Sequence, residues 1–274
     1  MKPNFLRSVF RSVLFIFLII LTQIGGIVLL LHYFLLRLLK RKQFRFNFFS
    51  STIIYLSLYL LFSLFLVPSI APFFGRTPLP YNSESIKPLN KITILLNRHY
   101  VNHKLKNSLE EIATDFQNSY PHSSLIYLDA NFPFWDGFPL IPHLSHNDGQ
   151  KIDLAFYYKS ENGEVLEDTA PSWIGYGAFE EAKKGEENTN KRCLENGFIQ
   201  YDLAKYLSPS WSQAEMILDI ERTMALMNAI IRNSDIQKIF IEPHLKSRMK
   251  LTHSKVRFHG CHAVRHDDHI HIQL

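Results

Sequence analysis

The chain has 274 residues, with 30 Lys and Arg against 25 Asp and Glu, 13 His and only two Cys. The basic excess belongs to residues 1–75, which hold eight Lys or Arg and no acid; from Arg76 onward 22 basic residues face 25 acidic ones, a net of −3 with His neutral. A folded domain without a basic face argues against a nucleic-acid partner, and two cysteines cannot make the disulfide framework of a small secreted fold.

Ser12 to Leu36 is an uncharged run of 25 residues. As one helix it would extend roughly 37 Å, enough to cross a hydrocarbon core of about 30 Å. A second uncharged stretch, Phe46 to Gly75, contains TIIYLSLYLLFSLFLV and is also long enough to span. Residues 1–75 are therefore expected to form a membrane anchor with two transmembrane helices. A cleaved signal peptide followed by a buried helix fits less well, because the first run exceeds the usual apolar region of a signal and lacks a small-residue cleavage site. Between the runs, Arg37 to Arg45 carries five positive charges, against three (Lys2, Arg7, Arg11) before the first. Lys and Arg flanking spans favour the cytoplasmic side. The expectation is a protein of the inner (cytoplasmic) membrane with both termini outside and the C-terminal domain facing the periplasm or cell exterior.

Residues 76–90, RTPLPYNSESIKPLN, are rich in Pro, Ser and Asn and read as a linker, which leaves 91–274 for the folded domain. KITILL (91–96), SSLIYLDA (123–130) and KIDLAFYY (151–158) read as strands. Glu161 to Arg192 mixes turn residues and charge and reads as a solvated insertion. Ser212-Gln-Ala-Glu215 matches a capping box, and Met216, Ile217, Ile220, Met224, Met227, Ile230 and Ile231 follow at helical spacing, so an amphipathic helix is expected there with its Met residues in the core. KIFIEP (238–243) reads as a strand ended by Pro243, and 255–258 and 269–273 supply two more. The expected class is α+β, a small antiparallel sheet with flanking helices after the two spans. Cys193 and Cys261 fit either one bridge in an oxidising compartment or two free core thiols.

Six of the 13 histidines lie between His253 and His271. In the closing HDDHIHIQL, His269 and His271 are two apart, so on a strand they share one face while Ile270 and Ile272 take the other. Upstream, HLSHNDGQKID (143–153) places Gly149 between His146 and Asp153. A glycine there permits a tight turn that brings imidazole and carboxylate together. Both are ligands that zinc accepts, and two histidines with one aspartate leave a fourth position open, as in catalytic zinc sites. A lone His-x-His on an edge strand is no stronger evidence than a solvated surface pair; the two elements together make a metal site the better reading.

Ser145-His146-x-x-Gly149-x-x-x-Asp153 and His266-x-x-His269-x-His271 resemble the two signatures of the penicillin-insensitive murein endopeptidases, in the group of zinc peptidases that includes lysostaphin-type, D-Ala-D-Ala metallopeptidase and Hedgehog-type domains. The resemblance runs from about Ser123 to Leu274. It implies that His146, Asp153 and His271 bind Zn2+, that His269 works beside the metal without ligating it, and that His266 lines the same cleft. It implies a zinc metallopeptidase hydrolysing amide bonds in peptidoglycan stem peptides or cross-links, with peptidoglycan and the membrane as partners and no nucleic acid. The alternatives are a non-catalytic zinc-containing Hedgehog-type binding module at the cell envelope, and a histidine-rich metal carrier with several weak sites. His143 reads as a contact to substrate or ligands, or as a surface histidine; Asp267 or Asp268 could hold an imidazole in its tautomer. FWDGF (134–138) is either a cleft wall or a packed turn. Two spans and the acidic insertion depart from the family's pattern, since its members are commonly exported and soluble.

Overall fold

The computed structural model describes residues 3–41 and 43–274, apart from the side chains of Pro3 and Asn4. Helix α1 (Pro3–Thr22) and helix α2 (Gly25–Arg41) replace the single 25-residue helix expected over Ser12–Leu36. The break is local and polar. Thr22 Oγ1 accepts the Gly25 N–H at 2.8 Å, which caps α2, and Gln23 takes a left-handed φ of 65°. The two helices fold back on each other: the Arg11 guanidinium lies 5.1 Å over the Tyr33 ring, and a Cβ on Gly26 would press within 2.5 Å of Ile19. Hydropathy averages cannot see this turn, because a capping Thr and two glycines carry no charge.

The third helix, α3 (Phe48–Phe74), starts at Asn47, whose side chain accepts the Ser50 N–H, and runs through a π-helical turn over Phe62–Leu66. Phe5–Thr22 and Phe48–Phe74 are both long and apolar enough to cross a membrane. Tyr55 Oη donates to Gly25 O and His32 pairs with Ser51, so α3 runs antiparallel to α2. As a result Arg7 and Arg11, at the start of α1, lie at the same end of the helical unit as Arg37, Lys40 and Arg41, at the end of α2.

After α3 come β1 (Thr77–Pro78) and β2 (Ile86–Pro88), then one helical turn, α4 (Ile92–Leu95). Two expectations change here. The stretch 76–90 is no free spacer, since β2 pairs with a strand of the main sheet and Leu79 and Ile86 are buried. KITILL is a helical turn, not a strand, because Lys91 O accepts the Leu95 N–H and Ile92 and Leu95 face outward.

The rest follows as β3 (Tyr100–Val101), α5 (His103–Ser119), β4 (Leu125–Tyr127), β5 (Lys151–Ala155), β6 (Tyr158–Lys159), β7 (Val165–Leu166), α6 (Thr189–Glu195), β8 (Ile217–Leu218), α7 (Ile220–Arg232), β9 (Lys238–Phe240), α8 (Pro243–Arg248), β10 (Val256–Arg257) and β11 (His269–Gln273). The main sheet has six strands in the order β10-β9-β11-β5-β4-β2. Its centre is antiparallel as expected, but both margins are parallel, β10 with β9 and β2 with β4, so the sheet is mixed. A smaller sheet, β7-β6-β8, and the pair β1-β3 complete the α+β fold.

Helices α5 and α7 cover one face of the main sheet. Leu105, Leu109, Ile112 and Phe116 from α5 and Leu226, Met227 and Ile230 from α7 meet Ile152, Leu154, Ile239, Ile270 and Ile272 from the strands in one core. Asn102 caps α5 through the Leu105 N–H at 2.8 Å. Helix α7 starts at Asp219, whose carboxylate accepts the Arg222 N–H, and not at the capping box expected at Ser212–Glu215. There Ile217 and Leu218 pair with β6, and strand pairing overrides the helical spacing that begins at Met216. Cys193 and Cys261 are joined by a disulfide, which ties α6 to the loop before β11.

The helical unit is seated on the domain. Gln23, fully buried, accepts the Phe134 N–H at 2.9 Å, Asn97 donates to Thr22 O and Tyr59 Oη, and Tyr59 Oη donates to Leu95 O. Ile24, Val28, Val67, Ala71 and Tyr100 form a second apolar cluster across this junction. Phe134 of FWDGF belongs to it too, edge-on against Phe74 with ring centroids 4.9 Å apart, whereas Trp135, Asp136 and Gly137 are exposed.

A candidate metal centre

The register of β11 on β5 builds the centre of the site. His271 lies directly opposite Asp153, whereas Ile270 faces Leu154 and Ile272 faces Ile152. Because side chains alternate along a strand, the isoleucines enter the helix-covered core and His269, His271 and Asp153 take the other face. The alternation expected from HIHIQL is thus present, with both histidines inward.

His146 arrives from the loop between β4 and β5. Gly149 adopts φ +77° and donates its N–H to Asn131 Oδ1, while His146 N donates to His143 O, so both histidines turn inward. His146 Nδ1 donates to Ala130 O at 2.7 Å. That fixes the tautomer and leaves Nε2 a lone pair facing the centre.

Three atoms then converge. His146 Nε2 is 3.0 Å from His271 Nδ1 and 3.2 Å from Asp153 Oδ1, and His271 Nδ1 is 2.8 Å from Asp153 Oδ1. A tetrahedral ion with bonds of about 2.0–2.2 Å separates its ligand atoms by roughly 3.3–3.6 Å, a few tenths wider than this cluster. The carboxylate offers its second oxygen to His143 Nδ1 at 3.2 Å, and His143, His146 and Asp153 form a buried group able to hold a metal ion. Two triads therefore share His146 and Asp153. The one closed by His271 is tighter and gathers on a single oxygen; the one closed by His143 uses the oxygen that also accepts Tyr176 Oη at 2.8 Å. His143 lies beside the tighter triad, buried and not on the surface.

Electrostatics suit a cation. Burial works against an ionised Asp153, but His146, His269 and His143 around it outweigh that and hold its carboxyl well below the usual range. Burial lowers His271 to about 4, against the pull of Asp153. An ionised carboxylate and a neutral imidazole are the protonation states that metal ligation needs. Buried His271 Nε2 and His269 Nε2 have no partner among the described residues.

His269 stands at the edge of this group, Nε2 3.6 Å from Asp153 Oδ1 and Nδ1 2.5 Å from Asp268 Oδ1. Burial would lower its pKa, but Asp153 and Asp268 raise it to about 9. Of the two neighbouring aspartates Asp268 holds His269; Asp267 is bound by Arg265, which also pairs with Asp202, and lies 3.8 Å from His244 Nε2. His266 is buried, its ring centroid 5.0 Å from His269 and 5.6 Å from His271, and its N–H donates to Glu242. A cleft of about 570 Å³ opens onto His143, His266 and His271.

Sequence reading missed Tyr176, which lies in the stretch 161–192 expected to be solvated. Part of that stretch is anchored: Arg222 on α7 reaches Glu167 and the carbonyls of Tyr158 and Leu166, and Tyr176 is buried against the site. Besides its bond to Asp153, Tyr176 Oη accepts the Asp129 N–H at 3.2 Å, and the adjacent Gly177 N–H donates to Asp268 Oδ2 at 2.6 Å. One turn thus orients both the candidate ligand Asp153 and the carboxylate behind His269. Gly175 and Gly177 have φ of 84° and 82°, and a Cβ on either would meet Leu128 or Ala204 O at 2.3 Å. Gly-Tyr-Gly inside a charged segment was the available signal, since an aromatic between two glycines there marks a close backbone approach.

No protein-family model and no curated protein matches this chain.

Proposed function

We propose that the chain is a membrane-anchored zinc metallohydrolase cleaving amide bonds at the cell envelope. The convergence of His146 Nε2, Asp153 Oδ1 and His271 Nδ1 within 3.2 Å, from a loop and two paired strands, carries this reading. Cysteine is absent from the cluster, and three protein ligands leave a position for water or substrate, as in catalytic zinc sites. The resemblance of the two histidine motifs to murein endopeptidases makes peptidoglycan stem peptides or cross-links the first substrate to test.

Zinc, when bound, supplies the Lewis acidity that polarises a scissile carbonyl and acidifies water. The chain's own residues do the rest. Tyr176 holds Asp153 by its second oxygen, which keeps Oδ1 turned to the centre. Asp268 accepts the Nδ1–H of His269 and leaves Nε2 facing the site, where it holds a proton. In hydrolysis the C–N bond breaks, the water oxygen joins the acyl carbon and the amine nitrogen takes up a proton, for which His269 Nε2 is the placed donor. His266 walls the cleft. No HExxH glutamate is available in this sequence, so proton handling falls to imidazole.

The helical hairpin supports one orientation. With α2 returning the chain, Arg7 and Arg11 lie at the same end as Arg37, Lys40 and Arg41, and the junction with the domain is at the other. Positive flanks stay in the cytoplasm. We therefore propose that α1, α2 and α3 all cross, with the N-terminus and the basic loop inside, in contrast to the expectation of two spans with both termini outside, and the domain on the periplasmic or exterior side. The Cys193–Cys261 bridge suits an oxidising compartment.

The test uses the full chain in detergent. One zinc per chain should load, and purified murein should yield new muropeptides that a chelator suppresses. His269→Ala should abolish turnover while zinc stoichiometry stays at one. Absence of zinc binding would sink the metallohydrolase reading; loss of zinc in His269→Ala would reassign that residue as a ligand.

A further inference from the structure

The cleft beside the metal centre has an unexpected character for a site that handles acidic peptides. Its walls are Ile141, Leu144, Leu203, Ala204, Leu207 and Val264, its polar lining is histidine, serine and glutamine, and it contains no Lys or Arg. A stem-peptide carboxylate would find no Lys or Arg along these walls. Two nearby arginines are already engaged: Arg98 donates to Ile141 O at 2.6 Å and pairs with Asp129 at 3.3 Å, and Arg265, between Val264 and His266, pairs with Asp202 and Asp267. The volume, about 570 Å³, falls in the range of roughly 300–1,000 Å³ typical of pockets that enclose a whole small ligand and not one side chain.

The same loop links cleft and anchor. Phe134 N–H is bonded to Gln23 at the hairpin turn, Phe134 packs on Phe74 at the end of α3, and nine residues after Phe134 the loop delivers His143. Along it Trp135, Ile141 and Leu144 are each more than half exposed, and Phe73, next to Phe74 on α3, is 87% exposed. Exposed apolar side chains thus occur both at the end of α3 and at the rim of the cleft, with the Asp136–Arg76 pair between them.

We propose that this cleft binds the alkyl chain of a membrane-borne amide, whose carbonyl is thereby presented to the metal centre. The proposal rests on the metallohydrolase reading for the reacting group and narrows the substrate to an amide carrying an extended apolar chain. A linear chain entering past Ile141 and Leu144 lies along Leu203, Leu207 and Val264 and points its polar end at His266 and His271.

Linear alkyl hydroxamates from two to ten carbons, titrated into the zinc-loaded full chain in lipid nanodiscs and corrected for partition into empty discs, provide the test. The hydroxamate takes the metal and the tail reads the cleft. Affinity should rise with each added carbon, by up to about three- to fourfold per fully buried methylene, well past four carbons. In Leu203→Asp, on a half-exposed residue, the two-carbon probe should bind as before while the chain-length gain disappears. A gain that stops by four carbons, or tighter binding of tails ending in a carboxylate, overturns the alkyl proposal and leaves the metal centre standing. If the two-carbon probe fails to bind at all, the metallohydrolase reading fails. A photoreactive alkyl amide without a metal-binding head decides the cleft independently: it should label 141–145 and 203–207 in metal-free protein, and labelling confined to the helices would refute the proposal.

Discussion

Tyr176→Phe isolates what the Gly-Tyr-Gly turn does for the candidate metal centre. The substitution keeps the ring, which packs 4.5 Å from His143 and 5.0 Å from His269, and removes one oxygen. Two bonds are lost: the one donated to Asp153 Oδ2 at 2.8 Å and the one accepted from the Asp129 N–H at 3.2 Å. A hydrogen bond to a charged group contributes about 1.5–3 kcal/mol, and a carboxylate released from its holder can turn its oxygens away from the shared centre. Zinc affinity should therefore fall by about 10- to 100-fold, the usual cost of losing a residue that orients a ligand. The unsatisfied Asp129 N–H adds about 1–3 kcal/mol of lost stability, which appears without metal. Competition against a chromophoric chelator measures the first effect and thermal unfolding of the metal-free chain the second. If affinity stays within twofold of the unaltered protein, Tyr176 does not position a ligand, and the assignment of Asp153 weakens with it.

Cys193→Ser with Cys261→Ser opens a loop closed over a separation of 68 residues; stability should drop by roughly 2–4 kcal/mol in thermal or denaturant unfolding, and an unchanged midpoint would refute the bridge. Gln23→Ala removes the partner of the part-buried Phe134 N–H, at up to about 1–3 kcal/mol, and should raise protease cleavage within 132–146; equal cleavage would mean that the hairpin turn does not brace this loop. Glu186 is held down to about 2 by its two bonds to Arg248. A depressed carboxylate stabilises the fold above its ordinary pKa of 4.5 and loses that contribution as pH falls toward 2, so Glu186→Gln should flatten the stability slope between those values. The same slope in both proteins would contradict the pairing.

How far the sequence revealed these features depended on the range of the interaction. HIHIQL showed its strand and its inward face because strand period and ligand spacing coincide, and the β11–β5 register then set His271 beside Asp153. Gly149 marked its own turn for a similarly local reason. Elsewhere tertiary pairing decided. Met216 to Leu218 have helical spacing, yet β6 claims Ile217 and Leu218 as a strand and delays α7 to Ile220. The parallel margin β2–β4 was hidden because Pro-rich RTPLPYNSESIKPLN lacks alternation, although Ile86 is buried in the sheet. The hairpin at 22–25 escaped because its signal is a threonine cap and glycines inside uninterrupted apolar sequence. Tyr176 escaped because its meaning depends on Asp153, 23 residues away.

The seating of Gln23, Thr22 and Tyr59 against Phe134, Asn97 and Leu95 has a mechanical consequence. A hydrolase on a long flexible stalk can sweep through the space above a bilayer, whereas one bolted to its helices works at a single altitude. On the proposed hydrolase reading, the substrate comes to it at that height, by lateral diffusion in the membrane plane or by lying in the layer immediately above. Splicing a Gly/Ser spacer between α3 and β1 would trade that fixed elevation for reach, at the expense of the contacts that now hold the junction rigid.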